Sequence, residues 1–333
     1  MVFTINNNKM NTIKWGFIGC GSVTEVKSGP AYQLTEDFEV AAVMRRNLEK
    51  AKDYAKRHHI ETYYNDAESL INDKNVDAVY IATPPDSHKK YALKVAEAGK
   101  PCCIEKPLTP SYQDSLAIQE AFEKKNIPLF VAYYRRSLPR FLKVKSWLRD
   151  NKIGEVRHMN WTYCKPPNAL DLNKTYNWRT DAKIAPGGYF DDLASHGLDL
   201  FAFLLDEFKD AQGFCTNQQQ LYEAYDAITA SWIHKNNITG SASWHFGSNE
   251  HIDDVKIIGS KGHISFSVFN ENPIYLKTSE EEKQLFVEHP KHVQLYHVKG
   301  MRDELVLNNF SHPSTGKTAV HTSWVMDKIL GKL

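Results

Sequence analysis

A doubly wound, parallel α/β domain followed by an α+β domain with a large, open, mostly antiparallel sheet is the architecture the sequence predicts. Three observations point there. Between Ile13 and Ala132, six short apolar segments alternate with helix-periodic ones, as strands buried on both faces by crossover helices do. Beyond Ala132 the apolar segments lengthen, alternate polar with apolar, and follow one another directly, as in an antiparallel sheet with one solvated or partner-facing side. Between strand Ile13–Ile18 and the first helical stretch lies the glycine turn Gly19-Cys20-Gly21. The expected division is a frayed tail over residues 1–12, a first domain over 13–132 and a second over 133–333.

Bulk properties exclude several classes. At 333 residues the chain has room for two domains, and 42% hydrophobic with 24% charged residues is ordinary for a globular protein. A net charge of +1 gives no electrostatic case for nucleic acid or an anionic membrane. No apolar run is long enough to span a bilayer, and the Asn-rich start, where Met10 is an alternative initiator, lacks a signal-like segment. The five cysteines are odd in number and lack metal-ligand spacing; Cys20, Cys102, Cys103 and Cys215 lie in apolar, strand-like contexts. They read as reduced structural thiols of a cytoplasmic protein.

In order, Ile13–Ile18 leads through Gly19-Cys20-Gly21-Ser22-Val23-Thr24 into a helix expected to reach Leu34. Strand, glycine turn and helix form the context of a dinucleotide fingerprint: the first glycine permits the tight turn, the second lets the backbone approach a pyrophosphate, and the helix N-terminus supplies N–H donors. Thr24 stands where a third glycine or alanine is usual. The second strand, Phe38–Met44, runs into Arg45-Arg46-Asn47 rather than the acid that would bind the ribose hydroxyls of NAD. Arginine at this point pairs with a 2′-phosphate, so NADP is preferred over NAD; two solvated arginines at a helix start are the plain alternative. A helix over Leu48–His59, an edge strand Ile60–Tyr64, a helix capped by Asp66, and a buried strand Val76–Ala82 follow. Thr83-Pro84-Pro85-Asp86-Ser87-His88 comes next, with Asp86 or Ser87 expected to cap the helix to Gly99.

The stretch Lys100-Pro101-Cys102-Cys103-Ile104-Glu105-Lys106-Pro107 reads as a buried strand ending in an acid, a base and a proline. Ligands of open parallel sheets sit outside the carboxyl ends of the strands, so Glu105 and Lys106 are placed to meet one; a surface ion pair is the bland alternative. A helix over Ser111–Lys125 and the strand Ile127–Ala132 complete the first domain. In the second, a helix is expected over Pro139–Asn151. Strands follow over Val156–Tyr163, Ala227–His234, Thr239–Phe246, Val255–Gly259, His263–Phe269, Pro273–Thr278 and Glu282–Val287, and a helix over Thr315–Leu330 closes the chain.

One helical stretch of the second domain carries Asp192, His196 and Asp199 at i, i+4 and i+7, on one face. Asp192 is placed to hold the imidazole in one tautomer, making His196 a proton donor or acceptor near neutral pH. A helix cap with a satisfied interior histidine is a second reading. A metal site is a third, disfavoured because no further ligand stands at suitable spacing, so no metal is expected.

Together these motifs resemble the Gfo/Idh/MocA family, the oxidoreductases related to glucose–fructose oxidoreductase, inositol dehydrogenase and dimeric dihydrodiol dehydrogenase. The resemblance runs from about Ile13 to Leu330. It rests on Gly19-Cys20-Gly21, Ala82-Thr83-Pro84 with His88, Ala98-Gly99-Lys100-Pro101 into Glu105-Lys106-Pro107, Trp178-Arg179, Gly187-Gly188, and Asp192 with His196 and Asp199. It implies a Rossmann domain, an open-sheet domain, a site in the cleft between them, and a cis bond before Pro107. It implies hydride transfer between nicotinamide C4 and a carbonyl or hydroxyl carbon of a sugar, polyol or cyclic diol. Lys106 and His196 would be the acid–base pair, with Asp192 beside them. Gly19, Gly21, Ser22, Val23, Arg45, Arg46, Thr83, Pro84, His88, Glu105, Lys106, Trp178 and Arg179 would hold the cofactor. Lys106, Tyr163, Asp192, His196, Trp161 and Tyr176 would meet the substrate, the aromatic residues being equally suited to core or interface. The open sheet would join copies into a homodimer or homotetramer. An NAD-dependent glycoside hydrolase of the same fold and a non-catalytic, ligand-sensing protein are the rivals. Arg45-Arg46 opposes the first, and intact Lys106, Asp192 and His196 oppose the second.

Overall fold

A computed structural model describes residues 12–333. The expected tail and the alternative start at Met10 therefore lie outside the described residues, apart from Thr12.

The first sheet is parallel, with strands β1 (Ile13–Ile18), β2 (Phe38–Met44), β3 (Thr62–Tyr64), β4 (Ala78–Ile81), β5 (Cys102–Ile104) and β6 (Leu129–Val131) in the order β3-β2-β1-β4-β5-β6. The order reverses between β1 and β4, which opens a crevice at the carboxyl ends of those strands. Both faces are covered, by α1 (Ser22–Val26), α2 (Gly29–Gln33), α3 (Leu48–Arg57), α4 (Ala67–Asn72), α5 (His88–Ala98) and α6 (Tyr112–Lys124). Two separate cores result, one around Trp15, Phe17, Tyr32 and Tyr80, the other around Ile18, Ile81, Ile104 and Phe122.

The ends of these elements follow local chemistry. Asn47, Asp66 and Ser111 each accept a backbone N–H of the first turn they cap, and Gly99 ends α5 in the left-handed region. Two expectations are corrected. The single helix expected after the glycine turn is broken into α1 and α2, because Pro30 has no N–H to continue it and Gly29 packs against the Thr24 carbonyl. Ser87 stands at the N-cap position of α5 as expected but makes no capping hydrogen bond; a 3₁₀ turn over Pro85–Ser87 precedes the helix, and Ser87 Oγ instead donates to Thr83 Oγ1 at 2.7 Å.

After β6 the chain leaves through a 3₁₀ turn, Tyr134–Ser137, into α7 (Pro139–Arg149). The second sheet begins with β7 (Val156–Cys164). A short helix α8 (Ala169–Leu172) and a long one, α9 (Tyr189–Leu205), separate it from β8 (Phe208–Thr216), β9 (Ala227–His234), β10 (Thr239–His245), β11 (Ile252–Gly259), β12 (Gly262–Phe266), β13 (Ile274–Thr278) and β14 (Glu282–Leu285). The order is β14-β13-β12-β11-β7-β10-β9-β8, antiparallel throughout except β7 with β10. Trp161, Trp232, Trp244 and Ile257 point inward against α9, while Thr229 and Ser231 on the opposite face are exposed. β8 was not expected from the sequence. Nor was α10 (Leu295–Arg302), whose Val298 and Met301 return to the first core. The last helix, α11 (Gly316–Ile329), packs on both α6 and α9, so the chain's end fastens the two sheets together. No helix among the described residues is long and apolar enough to cross a membrane.

Candidate active site

The loops after β1, β2, β4 and β5 meet at one edge of the parallel sheet. Gly19 has φ +96°, and a Cβ there would lie 2.8 Å from Thr83 Cγ2 and 2.9 Å from the Ala82 carbonyl carbon, so only glycine brings these two loops together. A Cβ on Gly21 would meet nothing within 4 Å, which leaves the turn open to a phosphate group. Thr24 is buried and its hydroxyl donates to the Gly21 carbonyl at 2.8 Å, so it closes the turn that a third small residue would otherwise leave loose. Ser22 is exposed and Val23 half-buried beside this opening. Arg45 reaches back to the Cys20 carbonyl at 3.2 Å, while Arg46 extends into solvent. These residues fit a dinucleotide: a glycine turn with free space in front and two guanidinium groups at the ribose end of the crevice.

His88 is fully buried, its two ring nitrogens 2.8 Å from the Thr83 carbonyl and 3.0 Å from the Leu108 carbonyl. It ties the exit of β4, with exposed Pro84, to the exit of β5. Glu105 is turned inward too: Oε1 accepts from Tyr80 Oη at 2.6 Å and Gln294 Nε2 at 2.7 Å. The Lys106–Pro107 bond is cis.

Lys106 reaches across to α9. Its Nζ donates to Asp192 Oδ1 and, at 3.1 Å, to the Asp192 carbonyl. The other carboxylate oxygen, Oδ2, accepts from Arg179 Nε at 2.6 Å, and the Arg179 guanidinium lies 4.4 Å from the Trp178 ring. Burial would raise the Asp192 carboxyl, but Lys106 and Arg179 outweigh it and hold the group below the usual carboxylate range.

His196 sits one turn further along α9, yet no hydrogen bond joins it to Asp192, so the expected tautomer-setting contact is absent; the carboxylate is turned to Lys106 and Arg179 instead. Its ring lies instead among Tyr133, Tyr134 and Phe269, at centroid distances of 6.2, 5.5 and 5.7 Å, with Nδ1 buried and unpartnered. Burial first, then the positive charges of Arg135, Lys106 and Lys27, push it well below an ordinary imidazole. Asp199, the third residue of the face, pairs with Arg136 through Nε–Oδ2 at 2.7 Å and Nη2–Oδ1 at 2.8 Å. It anchors the β6 exit to α9 and takes no part in the cleft.

Lys106, Asp192, Arg179 and His196 are thus brought together. Tyr163 is buried beside them, its ring tilted against Trp161 and Phe269 and edge-on to His251. Trp161 belongs to the second core: it is 1% exposed, donates to Asp253 Oδ1 at 3.0 Å, and presses on Gly197, where a Cβ would fall 2.3 Å from the indole. Tyr176 is 74% exposed and lies on a separate depression. Sequence reasoning did not assign Tyr133, Tyr134 and Arg135 to the site. Their position at the carboxyl end of β6, beside the β5 exit that carries Lys106, was the available signal. All five cysteines are free, and burial pushes the Cys20 thiol up to about 11. No group of metal-ligating side chains occurs among the described residues.

Comparison with known proteins agrees with this geometry. Residues 13–133 match the model of an oxidoreductase family with an NAD-binding Rossmann fold, and residues 141–265 match the GFO/IDH/MocA C-terminal domain. Oxidoreductase P35 of Formosa agariphila is 36% identical over 321 residues, 96% of this chain and 98% of that protein. Levoglucosan dehydrogenase of Pseudarthrobacter phenanthrenivorans is 31% identical over 57% of this chain and 45% of its own length. A solved levoglucosan dehydrogenase in complex with NADH and levoglucosan superposes with a TM-score of 0.84 at 21% identity, covering 96% of each chain, and so shares the fold. The chain is a member of the Gfo/Idh/MocA family of NAD(P)-dependent oxidoreductases.

Proposed function

We propose that the protein is an NADP-preferring dehydrogenase acting on a CH–OH group of a sugar, polyol or cyclic diol, with Lys106 and His196 as the acid–base pair. The observation that carries this reading is the clamp of Asp192 on Lys106 and Arg179 beside His196, whose Nδ1 is buried without a partner. Asp192 keeps the Lys106 ammonium aimed into the cleft. Burial and the nearby cations favour neutral His196; with Nδ1 buried among the aromatic rings, Nε2 is the nitrogen left for the substrate, and it acts as base in the tautomer that carries the proton on Nδ1. In oxidation, Nε2 takes the hydroxyl proton, and the ammonium of Lys106 stabilises the developing alkoxide by a charge-assisted hydrogen bond. The carbon then loses a hydride and its oxygen becomes a carbonyl. A bound nicotinamide supplies the acceptor for that hydride. Residues 13–132 carry the cofactor in this reading, and residues 133–333 carry the substrate.

Arg45 and Arg46 support NADP, since no carboxylate follows β2. Levoglucosan and inositol are the compounds named for relatives. They support a compact polyhydroxylated ring as the substrate. The outward face of the second sheet, with small polar Thr229, Ser231, Ser241 and Ser243, supports pairing of two copies. Five free cysteines support a reducing, cytoplasmic setting. The test is a fluorescence titration with NADPH and with NADH, followed by turnover on a panel of sugars, polyols and diols. Tight NADPH binding with turnover on the panel is expected. Binding of neither nucleotide would overturn the reading.

A further inference from the structure

Glu105 and Lys106 are neighbours in the chain, yet they do not form an ion pair. The Lys106 ammonium goes to Asp192, while the Glu105 side chain turns inward and is buried. One of its oxygens, Oε1, accepts two hydrogen bonds, from Tyr80 Oη of β4 at 2.6 Å and from Gln294 Nε2 at 2.7 Å. The other, Oε2, accepts the backbone N–H of Lys106 at 3.2 Å, and among the described residues that N–H has no other acceptor. The main-chain ladder ends one residue earlier, where the Glu105 N–H donates to the Ile81 carbonyl at 2.9 Å. Beyond that point the Glu105 side chain takes over from the sheet and holds the peptide that bears Lys106.

Gln294 comes to this contact from 189 residues further along the chain. It stands at the N-cap position of α10, where a polar side chain ordinarily turns back onto the first turn of its own helix, but it makes no capping hydrogen bond. The residue is buried and its Oε1 has no partner. An unpaired buried acceptor is unfavourable, and the opposite orientation of the amide would set oxygen against oxygen at Glu105. The helix cap and one acceptor are thus given up for a single bond to Glu105, the kind of local rule-breaking that accompanies a functional site. Two residues earlier, His292 donates through Nδ1 to the carbonyl of Val26, the last residue of α1, at 3.0 Å. The segment between β14 and α10 is therefore fastened to the first domain twice, at the helix that follows the glycine turn and at the exit of β5.

We infer that Gln294 is a positioning residue, which through Glu105 fixes the peptide from which Lys106 reaches Asp192 and the reacting oxygen. The inference rests on the proposed role of Lys106 in the dehydrogenase reaction. It gives the segment before α10 a task in catalysis, although that segment touches neither Asp192 nor His196.

The test is Gln294→Met in the full chain, which keeps the length and bulk of the side chain and removes the donor. In residue-resolved amide hydrogen exchange, the Lys106 N–H should exchange about ten-fold faster in the variant, the scale of one weakened hydrogen bond. The Glu105 N–H, bonded to Ile81, should keep its rate. On the best-turned-over compound of the sugar, polyol and diol panel, kcat should fall by about ten- to a hundred-fold, as misplacement of a catalytic group does, with KM and the Kd for NADPH within about two-fold of the parent. Tyr80→Phe, which removes the other donor on Glu105 Oε1 and leaves the ring in place, should move both measurements in the same direction. An unchanged Lys106 exchange rate would overturn the inference. Faster exchange at Glu105 and Lys106 alike would do the same, since Gln294 would then merely stabilise the sheet, as would faster exchange at Lys106 alone with kcat unchanged. A parent protein that binds NADPH but turns over nothing on the panel would overturn the dehydrogenase reading, and the positioning role with it, whatever the exchange rates.

Discussion

Asp192 holds Lys106 Nζ on one carboxylate oxygen and Arg179 Nε on the other, and so bridges the β5 exit of the parallel sheet to the loop before α9. The Lys106 and Asp192 side chains are 12% and 11% exposed, so this pair is largely desolvated. Removing one charge of such a pair leaves the other uncompensated, at a cost of about 3–5 kcal/mol when fully buried and less here, where Arg179 is partly solvated. Asp192→Asn should therefore lower the melting temperature by several degrees. It should also cut turnover, because the lysine is no longer aimed. A calorimetric scan with steady-state kinetics on the same sample checks both; unchanged values would show that the bridge matters to neither.

In the proposed mechanism Lys106 acts on the reacting oxygen. Lys106→Ala should lower turnover by about 10²–10³-fold or more, the scale seen when one charge-stabilising donor is removed from an active site. The glycine turn proposed to carry the phosphates is formed by other residues, so the Kd for NADPH should stay within a few-fold of the parent. Near-normal turnover would remove Lys106 from the mechanism.

In the proposed mechanism His196 is the base, and so would carry the pH dependence of the oxidation. Its pKa lies well below 6.5 because burial and the charges of Arg135, Lys106 and Lys27 disfavour the imidazolium. The base form therefore persists into acid, and kcat/KM for alcohol oxidation should hold its plateau below pH 6.5 before falling. In Arg135→Met one positive neighbour is gone, the histidine rises, and the acid limb should move to higher pH. A limb at the same pH in both proteins would mean that another group titrates.

How much of this was legible in the sequence differs from element to element. The strands of the first sheet were readable because each is buried on both faces and therefore continuously apolar, as in Val79-Tyr80-Ile81. β8 was not: it is an edge strand in which Phe208 and Ala211 are buried while Lys209, Asp210 and Gln212 face solvent, and a register shift after Phe208 breaks the alternation. α10 is eight residues long with Gly300 inside it, too short for a helical period to stand out, and it is held by Trp15 and Phe17 of a sheet nearly three hundred residues earlier. In the site, spacing put Asp192, His196 and Asp199 on one face, and the structure agrees. Spacing along one helix says nothing about what other segments bring to it. Lys106 and Arg179 claim the Asp192 carboxylate and Arg136 claims Asp199, so His196 is surrounded by aromatics and cations rather than by acids.

In the proposed reading, cofactor choice follows from the end of β2. Arg45 and Arg46 are the only charged groups immediately after that strand, and a carboxylate is missing. Loss of a charge-assisted contact to a phosphate costs about 1.5–3 kcal/mol, or roughly ten- to a hundred-fold in Kd. Arg45→Ala with Arg46→Ala should weaken NADPH by at least that factor and leave NADH within about two-fold. Parallel titrations of the two nucleotides check this; equal weakening of both would mean the arginines support the loop and do not read the 2′-phosphate.

Acid stability should be set by histidines buried in their neutral form. Burial pushes His312 and His321 down to about 4, and His297 well below its ordinary 6.5. The contacts agree with neutral rings: Ser314 donates its backbone N–H to His312 Nδ1 at 3.1 Å, and Phe208 donates its N–H to His321 Nε2 at 2.9 Å, bonds that an imidazolium cannot accept. The unfolded chain binds protons at these rings once pH drops below about 6.5, whereas the folded chain resists until about 4. Stability is thus complete above 6.5, falls as pH drops from 6.5 to 4, and flattens below. Asp191 works the other way: burial raises it to about 6, so the folded chain takes up that proton well before the unfolded chain does, and it adds stability through nearly the whole of that window. One carboxyl does not offset three or more histidines. The melting temperature should therefore decline steadily between pH 6.5 and 4.5, and His321→Gln, whose amide oxygen accepts the same Phe208 N–H without titrating, should show a shallower decline. An equally steep slope in that variant would mean that the loss arises at other groups.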